Sequence, residues 1–281
     1  MKRPKKRCIF TKPLLIFAMA CVLIIIDSRL RLVTTKYELF SQRLPVSFDG
    51  FKVVQLSDLH NTQFGENNSR LLAAVEKEKP DIIILTGDFI DKESDIPDQA
   101  DLYKSLTKIS PVYFVSGNHD WASGAISTLK ETLKNAGCVY LSNEITEITV
   151  GNEKIILCGV EDPNGPSDML SPDQVVASVR TQYPDHFVIL LGHRNYWAEK
   201  YPNLDVDVIF CGHAHGGVVR LPFLGGVAGP GGELFPQWDA GVFDCGKYKL
   251  VISRGLGDNF AIPVPRFLNN PQILSVTLKK S

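Results

Sequence analysis

The stretch Val53-Val-Gln-Leu-Ser-Asp-Leu-His60 decides the fold, because a short apolar run ends there in an aspartate and a histidine. Four further apolar runs follow the same plan, and they end in Asp88, in Asn118-His-Asp120, in His193 and in His213-Ala-His215. Continuous apolar runs rich in β-branched residues are typical of strands that are covered on both faces. In an open α/β sheet the ligand crevice lies outside the carboxyl ends of the strands. We therefore expect these polar side chains to converge at one edge of a sheet.

Glycine and histidine are concentrated at these strand ends. Glycine stands immediately before the polar residue in four of the five runs, at Gly87, Gly117, Gly192 and Gly212. A glycine allows the sharp turn and close approach that a loop needs to aim a side chain back over its strand. The chain has six histidines, and five of them occupy these strand ends: His60, His119, His193, His213 and His215. This concentration predicts one shared site.

The chemistry of the clustered side chains indicates metal binding. Imidazole nitrogens and carboxylate oxygens suit zinc, manganese, iron, cobalt or nickel. The candidate ligands are too many for one tetrahedral ion, so the sequence predicts two divalent metal ions. A shared carboxylate places two ions about 3.5–4 Å apart, where they hold a hydroxide nucleophile and stabilise the oxygens of an in-line displacement. With Asp58 and Asp88 ionised and the histidines neutral, the two ions keep a positive surplus, which favours a phosphate-like substrate.

The remaining sequence predicts a single α/β domain over residues 50–281. Apolar runs alternate with helical stretches at 69–79, 100–108 and 125–136, and Gly151-Asn152 predicts a hairpin, so part of the sheet is antiparallel. A chain of 281 residues with 44% hydrophobic positions and six cysteines is not a disordered, collagenous or disulfide-stapled protein. The balance of 30 basic against 31 acidic residues gives no general attraction to nucleic acid. No nucleic-acid partner is expected, because no stretch interleaves basic and aromatic residues.

Residues 1–35 are predicted to be a basic N-terminus and a hydrophobic membrane anchor. Six positive charges between Lys2 and Lys12 precede an unbroken apolar run from Leu14 to Ile26, and fewer follow it closely. Positive flanks stay in the cytoplasm, so we expect a single-pass protein of the cell membrane with its catalytic domain on the extracytoplasmic side. The run is short for a bilayer, which leaves a cleaved signal peptide as one alternative and a buried core helix as another. Residues 36–49 are predicted to be a linker.

The chain resembles the calcineurin-like metallophosphoesterases in five ordered blocks: Asp58-Leu-His60, Gly87-Asp88, Gly117-Asn-His-Asp120, Gly192-His193 and Gly212-His-Ala-His-Gly216. The resemblance covers residues 50–280. The later segments 216–222 and 253–257, together with the anchor, are most similar to the membrane-associated bacterial branch typified by YkuE and YaeI. The resemblance implies a four-layer α/β-β/α sandwich of two mixed sheets. It also implies two-metal-dependent hydrolysis of phosphomonoester or phosphodiester bonds by a metal-bridging hydroxide.

The resemblance implies a role for each matching residue. One metal ion is implied to bind Asp58, His60 and His215, the other to bind Asn118, His193 and His213, and Asp88 to bridge the two. His119 is implied to face the scissile phosphate as an electrostatic group and as the proton donor to the leaving oxygen. Asp120 is implied to orient the His119 ring.

Three features leave alternatives open. Arg194 and Arg220 are either contacts to the phosphate and leaving group or solvated surface arginines. The segment 216–237, rich in Gly, Pro and large apolar residues, is either an ordinary packed loop or an apolar lip that meets the bilayer or a lipid-like substrate. A non-catalytic, metal-binding interaction module is the alternative function, although no ligand is missing. We expect a monomer that acts on a phosphate ester, either lipid-linked or part of the cell envelope.

Overall fold

The computed structural model of the chain describes residues 11–166, 169–258 and 264–281. Its strands, numbered in chain order, are β1 (Val33–Ser41), β2 (Lys52–Leu56), β3 (Ile82–Thr86), β4 (Val112–Val115), β5 (Val139–Tyr140), β6 (Ile145–Val150), β7 (Glu153–Gly159), β8 (Val188–Leu191), β9 (Val208–Cys211), β10 (Arg220–Leu221), β11 (Gly225–Gly226), β12 (Gly241–Asp244), β13 (Lys249–Ile252) and β14 (Gln272–Lys280). Its α-helices are α1 (Thr11–Leu30), α2 (Ser69–Glu78), α3 (Ile96–Ile109), α4 (Asn118–Ala122), α5 (Ile126–Ala136), α6 (Pro172–Gln182) and α7 (Trp197–Lys200).

The strands form two large mixed sheets. The first has the order β1-β14-β2-β3-β4-β5, and the second has the order β12-β13-β9-β8-β7-β6. In each sheet most neighbours are parallel, but β14 runs antiparallel to β2, β12 to β13 and β6 to β7. A third, two-stranded ribbon pairs β10 with β11. The sequence-based prediction of two mixed sheets is confirmed.

Three layers of apolar side chains hold the sheets and helices together. Between the sheets, Val53 and Ile84 of the first pack with Phe210 of the second. Helices α2, α3 and α5 cover the outer face of the first sheet, and α6 and α7 cover the outer face of the second. Both central sheets are thus covered on both faces, which explains their continuously apolar strands. The predicted four-layer sandwich is the observed architecture.

The hairpin between β6 and β7 is also confirmed. Val150 pairs with Glu153 across the turn, and Gly151 adopts a φ of +61° that a side chain would disfavour. The hairpin adds β6 as the antiparallel edge of the second sheet.

The predicted linker over residues 36–49 differs from the structure. Strand β1 occupies the first part of this range and pairs in parallel with β14, from Val33 opposite Gln272 to Ser41 opposite Lys280. Its side chains alternate in burial, with Leu39 buried and Glu38 and Phe40 exposed. An alternating edge strand lacks the continuous apolar run that marks the central strands. Strand β1 therefore joins the first sheet with only two residues between it and the end of α1.

Among the described residues, α1 is the one helix that is long enough and apolar enough to cross a membrane, by length and composition alone. Its window Lys12–Leu30 has a mean hydropathy of 2.1. Twenty residues make a helix of about 30 Å, close to the thickness of a bilayer core. Leu14, Leu15 and Phe17 are 66–67% exposed, so α1 is not a buried core helix. Residues 1–10, which carry most of the predicted basic flank, lie outside the described residues.

Candidate metal centre

The polar residues that follow five strands meet at one edge of the two sheets. The predicted His and Asp ligands fall into two groups, and within each group the ligand atoms all lie within 4.8 Å of one another. The groups draw on loops after β2 and β3 of the first sheet and after β8 and β9 of the second. The centre therefore lies where the carboxyl ends of both sheets adjoin, at the edge expected for ligands.

The first group contains Asp58, His60, Asp88 and His215, all of them buried. The Nε2 atom of His60 lies 3.3 Å from the Nε2 atom of His215, which in turn lies 3.4 Å from Oδ1 of Asp58. Two nitrogens that bind one ion at about 2.1 Å stand roughly 3–3.5 Å apart. The spacing of the two imidazoles therefore suits a shared cation.

The second group contains Asp88, His193 and His213. Oδ2 of Asp88 lies 3.0 Å from Nε2 of His193 and 3.9 Å from Nε2 of His60, which belongs to the first group. Asp88 is thus the one carboxylate that both groups share. A shared carboxylate is the arrangement that brings two cations together in dinuclear hydrolases.

Buried acceptor atoms without a partner mark the same place. Asp58 Oδ2 and Asn118 Oδ1 are buried and have no hydrogen-bond partner among the described residues. An unsatisfied buried polar group costs about 1–3 kcal/mol, so two unpartnered oxygens among these imidazoles indicate a site for a ligand. Oxygen and imidazole acceptors suit divalent cations of the manganese-to-zinc series. The donor set therefore fits two metal ions, and Asn118 lines the same cavity as His213.

Hydrogen bonds from the second nitrogen of each ring hold two of the imidazoles in place. Nδ1 of His193 donates to the carbonyl oxygen of Thr86 at 2.8 Å, which leaves Nε2 facing Asp88. Nδ1 of His60 lies 2.8 Å from the carboxylate of Asp91, which leaves its Nε2 facing His215. Such outer contacts fix the tautomer and orientation of metal-binding histidines.

The backbone is strained at the ligand positions. Five of the predicted ligands adopt a φ between +46° and +67°, a region that residues with side chains rarely enter: Asp58, His60, Asp88, His213 and His215. Strain of this kind persists where the surrounding structure imposes it, and it is concentrated at functional sites. The preceding glycines make the close packing possible, since a Cβ on Gly87 would stand 2.5 Å from the backbone nitrogen of Gly117.

Burial and the carboxylates set the protonation of the histidines. Burial lowers the pKa of His213 and His215 well below the usual range, so both are neutral imidazoles, the form that binds metals. Burial acts in the same direction on His193, but the charge of Asp88 outweighs it and raises the pKa of His193 to about 10. The centre therefore favours positive charge beside Asp88, and a bound cation displaces the proton there.

His119 and Asp120 lie beside the centre in different surroundings. The half-buried ring of His119 packs edge-on against His60, with its Nδ1 atom 2.7 Å from Asp91. The hydrogen bond to Asp91 raises the pKa of His119. The carboxylate of Asp120 is fully buried and instead accepts four backbone N–H groups, from Asp88, Phe89, Ile90 and Gly117.

This arrangement corrects the expectation that Asp120 orients the His119 ring. Asp91 makes that contact, and Asp120 instead holds the loop that carries Asp88. The residues predicted from the sequence do not include Asp91. A second aspartate three residues after Asp88, in the same loop after β3, is the feature of the sequence that indicates it.

The two arginines have different partners. Arg194 forms two hydrogen bonds with the buried carboxylate of Asp162, at 2.6 and 2.9 Å, and its Nη1 atom lies 3.0 Å from Nε2 of His213. Its guanidinium is therefore fixed at the border of the centre. Arg220 donates to the carboxylate of Asp239 and to the carbonyl oxygen of Gly216, each at 2.9 Å. It therefore stabilises the loop after His215.

Comparison with known proteins identifies the family. The sequence model of the family described as calcineurin-like phosphoesterase matches residues 51–217. The chain belongs to the calcineurin-like phosphoesterase family. It is 29% identical over 255 residues to the metallophosphoesterase YkuE of Bacillus subtilis strain 168, covering 88% of this chain and 86% of that one. It is 28% identical over 235 residues to the phosphodiesterase YaeI of Escherichia coli K12, covering 80% and 83%.

A solved structure is similar in fold. The protein TT1561 of Thermus thermophilus aligns with a TM-score of 0.51 at 12% identity, and the match covers 73% of this chain and 90% of that one. Family membership and the geometry of the centre together show that this phosphoesterase is a metal-dependent hydrolase with two divalent ions. These findings favour the hydrolase over the alternative of a non-catalytic module.

Proposed function

We propose that this phosphoesterase holds one ion with Asp58, His60 and His215, holds the other with Asn118, His193 and His213, and bridges the two with Asp88. The position of Asp88 in both ligand groups is the observation that carries this assignment. When bound, two such ions would supply an activated water and neutralise charge on a phosphoester.

The protein side chains bind and orient the substrate and move one proton. Arg194, fixed by Asp162, contacts phosphate oxygens on the side of His213. His119 donates a proton to the leaving oxygen, because the hydrogen bond of its Nδ1 atom to Asp91 leaves Nε2 as the reacting nitrogen. Burial of Asp58, His60 and Asp88 strengthens the electrostatic interactions at the centre.

A second part of the proposal concerns the substrate and the cellular location of the enzyme. Helix α1 is proposed to be an uncleaved membrane anchor, with the catalytic domain on the extracytoplasmic side. A lipid-linked or cell-envelope phosphoester is the proposed substrate, because an anchored enzyme meets substrates that reside at the membrane. The exposed apolar surface of α1 supports the anchor.

Activity with chromogenic esters tests the assignment. The full chain, purified in detergent and loaded with Mn²⁺, is expected to hydrolyse bis-p-nitrophenyl phosphate or p-nitrophenyl phosphate, and EDTA to abolish the reaction. The substitutions Asp88→Ala and His213→Ala are expected to lower kcat/KM by at least about 100-fold, the loss typical of essential catalytic electrostatics. His186→Ala is the matched control, because His186 lies outside both ligand groups.

Elemental analysis separates the metal assignment from the activity. Two ions per chain are expected under metal-replete conditions, and fewer than two for Asp88→Ala. A wild-type content of one ion or none would refute the two-metal assignment whatever the activity. Equal losses in His186→Ala and His213→Ala would refute the specific role of His213.

A further inference from the structure

Helix α1 and the metal centre lie at the same edge of the first sheet. Strand β14 is antiparallel to β2, so Leu274 near the start of β14 stands opposite Gln55 near the end of β2, three residues before Asp58. Strand β1 is parallel to β14, and its first residue, Val33, stands opposite Gln272. The chain therefore leaves α1 beside the edge at which β2 delivers its metal ligands.

Polar contacts fix the end of α1 to this edge. Asn270, just before β14, donates to the carbonyl oxygen of Asp27 at 2.7 Å, and Arg29 pairs with Asp258 at 2.5 Å. Asp258 follows Gly257, whose backbone nitrogen donates to the carbonyl oxygen of Asp58 at 2.6 Å. One short segment thus contacts both the helix and a candidate metal ligand. Two residues separate α1 from β1, a reach of only about 7 Å.

Five exposed apolar side chains lie in the loop that follows the ligand His215 and in the segment just before β14. Phe223 is fully exposed, and Leu224, Leu234, Phe235 and Leu268 are 63%, 72%, 51% and 40% exposed. We call these five residues the apolar rim. Soluble surfaces carry such side chains singly, whereas a group of them marks an interaction surface.

The apolar rim is attached to both the metal ligands and the helix contact. Val219 forms a β-bridge with Phe267, which joins the loop of Phe223 to the segment of Leu268. In that segment, Asn269 donates to the carbonyl oxygens of His215 and Val218, and its neighbour Asn270 contacts α1. Leu268 of the rim is therefore one residue from the contact to His215 and two residues from the contact to α1, and the bridge at Val219 joins the loop of Phe223 to the same segment.

We propose that the apolar rim enters the interface of the lipid bilayer that α1 spans, so that the metal centre opens toward the phosphate headgroups. This inference rests on the proposed anchor and states which surface of the domain meets the bilayer. The geometry favours a bilayer as the surface that covers the apolar rim. Helix α1 and the rim share one edge of the domain, and the two residues between α1 and β1 are too few to hold the domain away from the membrane. Phenylalanine and leucine are side chains that insert at the boundary between headgroups and acyl chains.

The geometry also narrows the substrate class. A centre whose rim is in the interface receives its phosphoester from the membrane surface rather than from bulk solution. A phosphoester in the headgroup of a membrane lipid meets this condition, since its phosphate lies at the depth that an inserted rim reaches.

Tryptophan fluorescence in vesicles tests the insertion. The full chain is reconstituted into phosphatidylcholine vesicles with or without brominated acyl chains, which quench tryptophan on contact. Phe223→Trp is compared with Val46→Trp, because Val46 is also exposed, at 70%, but follows β1 at its far end, about 30 Å along the strand. The wild-type signal from its three tryptophans is subtracted. At least twofold stronger quenching is expected for Phe223→Trp.

A second pair of tryptophan variants controls for a local effect of any one substitution. Leu234→Trp in the rim and Phe40→Trp at the far end of β1 are expected to differ in the same direction. Equal quenching within both pairs, for protein that floats with the vesicles, would overturn the insertion and leave the anchor and the phosphoesterase assignment intact. Protein that fails to float would refute the anchor, and with it this inference, while activity toward chromogenic esters would still stand.

Discussion

The carboxylate of Asp91 lies 2.7 Å from Nδ1 of His119 and, through the same oxygen, 2.8 Å from Nδ1 of His60. One carboxylate thus orients a ring of the metal centre and the ring proposed to protonate the leaving oxygen. Burial opposes the ionisation of Asp91, but the hydrogen bonds from the two histidines outweigh it and hold its pKa below the usual range. Asp91 therefore stays charged and acts as a positioning residue for both rings.

Asp91→Asn is expected to weaken the centre without unfolding the domain. The asparagine keeps the shape but removes the charge that aligns the two imidazoles, so kcat is expected to fall about 10–100-fold together with metal affinity. Metal titration and steady-state kinetics give the two values. Asp101→Asn is the control, because Asp101 is 89% exposed and pairs with Lys104 on the surface. Unchanged metal affinity and kcat in Asp91→Asn would contradict the positioning role.

Arg194→Lys is expected to weaken substrate binding. Lysine keeps the charge but cannot reach both oxygens of Asp162 and the neighbourhood of His213 as the planar guanidinium does. We expect KM for bis-p-nitrophenyl phosphate to rise about tenfold, equivalent to about 1.4 kcal/mol, with kcat changed far less. Arg43→Lys is the matched control, since Arg43 pairs with the exposed Asp205. A lower melting temperature with unchanged KM would show a structural role only.

The sheet and the centre could be predicted from the same five segments. Buried parallel strands are continuously apolar and end where the chain turns, so the ligands after β2, β3 and β4 could be placed without coordinates. Strand β1 could not be predicted in this way, because Glu38 and Phe40 are exposed at the sheet edge and its pattern alternates. Its pairing with β14 depends on residues more than 230 positions apart, which no local pattern reports.

The partner of His119 could not be predicted from sequence spacing. Asp120 is adjacent to His119 in the chain, but its side chain points to the backbone of the neighbouring loop. Asp91 is 28 positions away and reaches the ring through the fold. The direction of a side chain after a strand depends on the strained backbone of the loop, so sequence order identifies the residue types but not their contacts.

Asp120→Ala is expected to destabilise the domain strongly. The substitution leaves four buried N–H groups without an acceptor, and each unsatisfied group costs about 1–3 kcal/mol before relaxation and water entry. We expect a loss of at least about 3 kcal/mol, measured by urea unfolding of the detergent-purified chain. Asp101→Ala is the surface control. A loss below about 1 kcal/mol would show that Asp120 does not hold the loop of Asp88.

Gly87→Ala is expected to remove metal binding, whereas Gly151→Ala is expected to preserve it. Both glycines have positive φ, +83° and +61°, so each substitution carries a backbone cost of about 1–2 kcal/mol. At Gly87 the new Cβ would also stand 2.5 Å from the nitrogen of Gly117 and 2.8 Å from Nδ1 of His193, while at Gly151 it would meet no described atom within 4 Å. Elemental analysis of both variants separates the two effects. Equal metal content would show that close packing at Gly87 does not position His193.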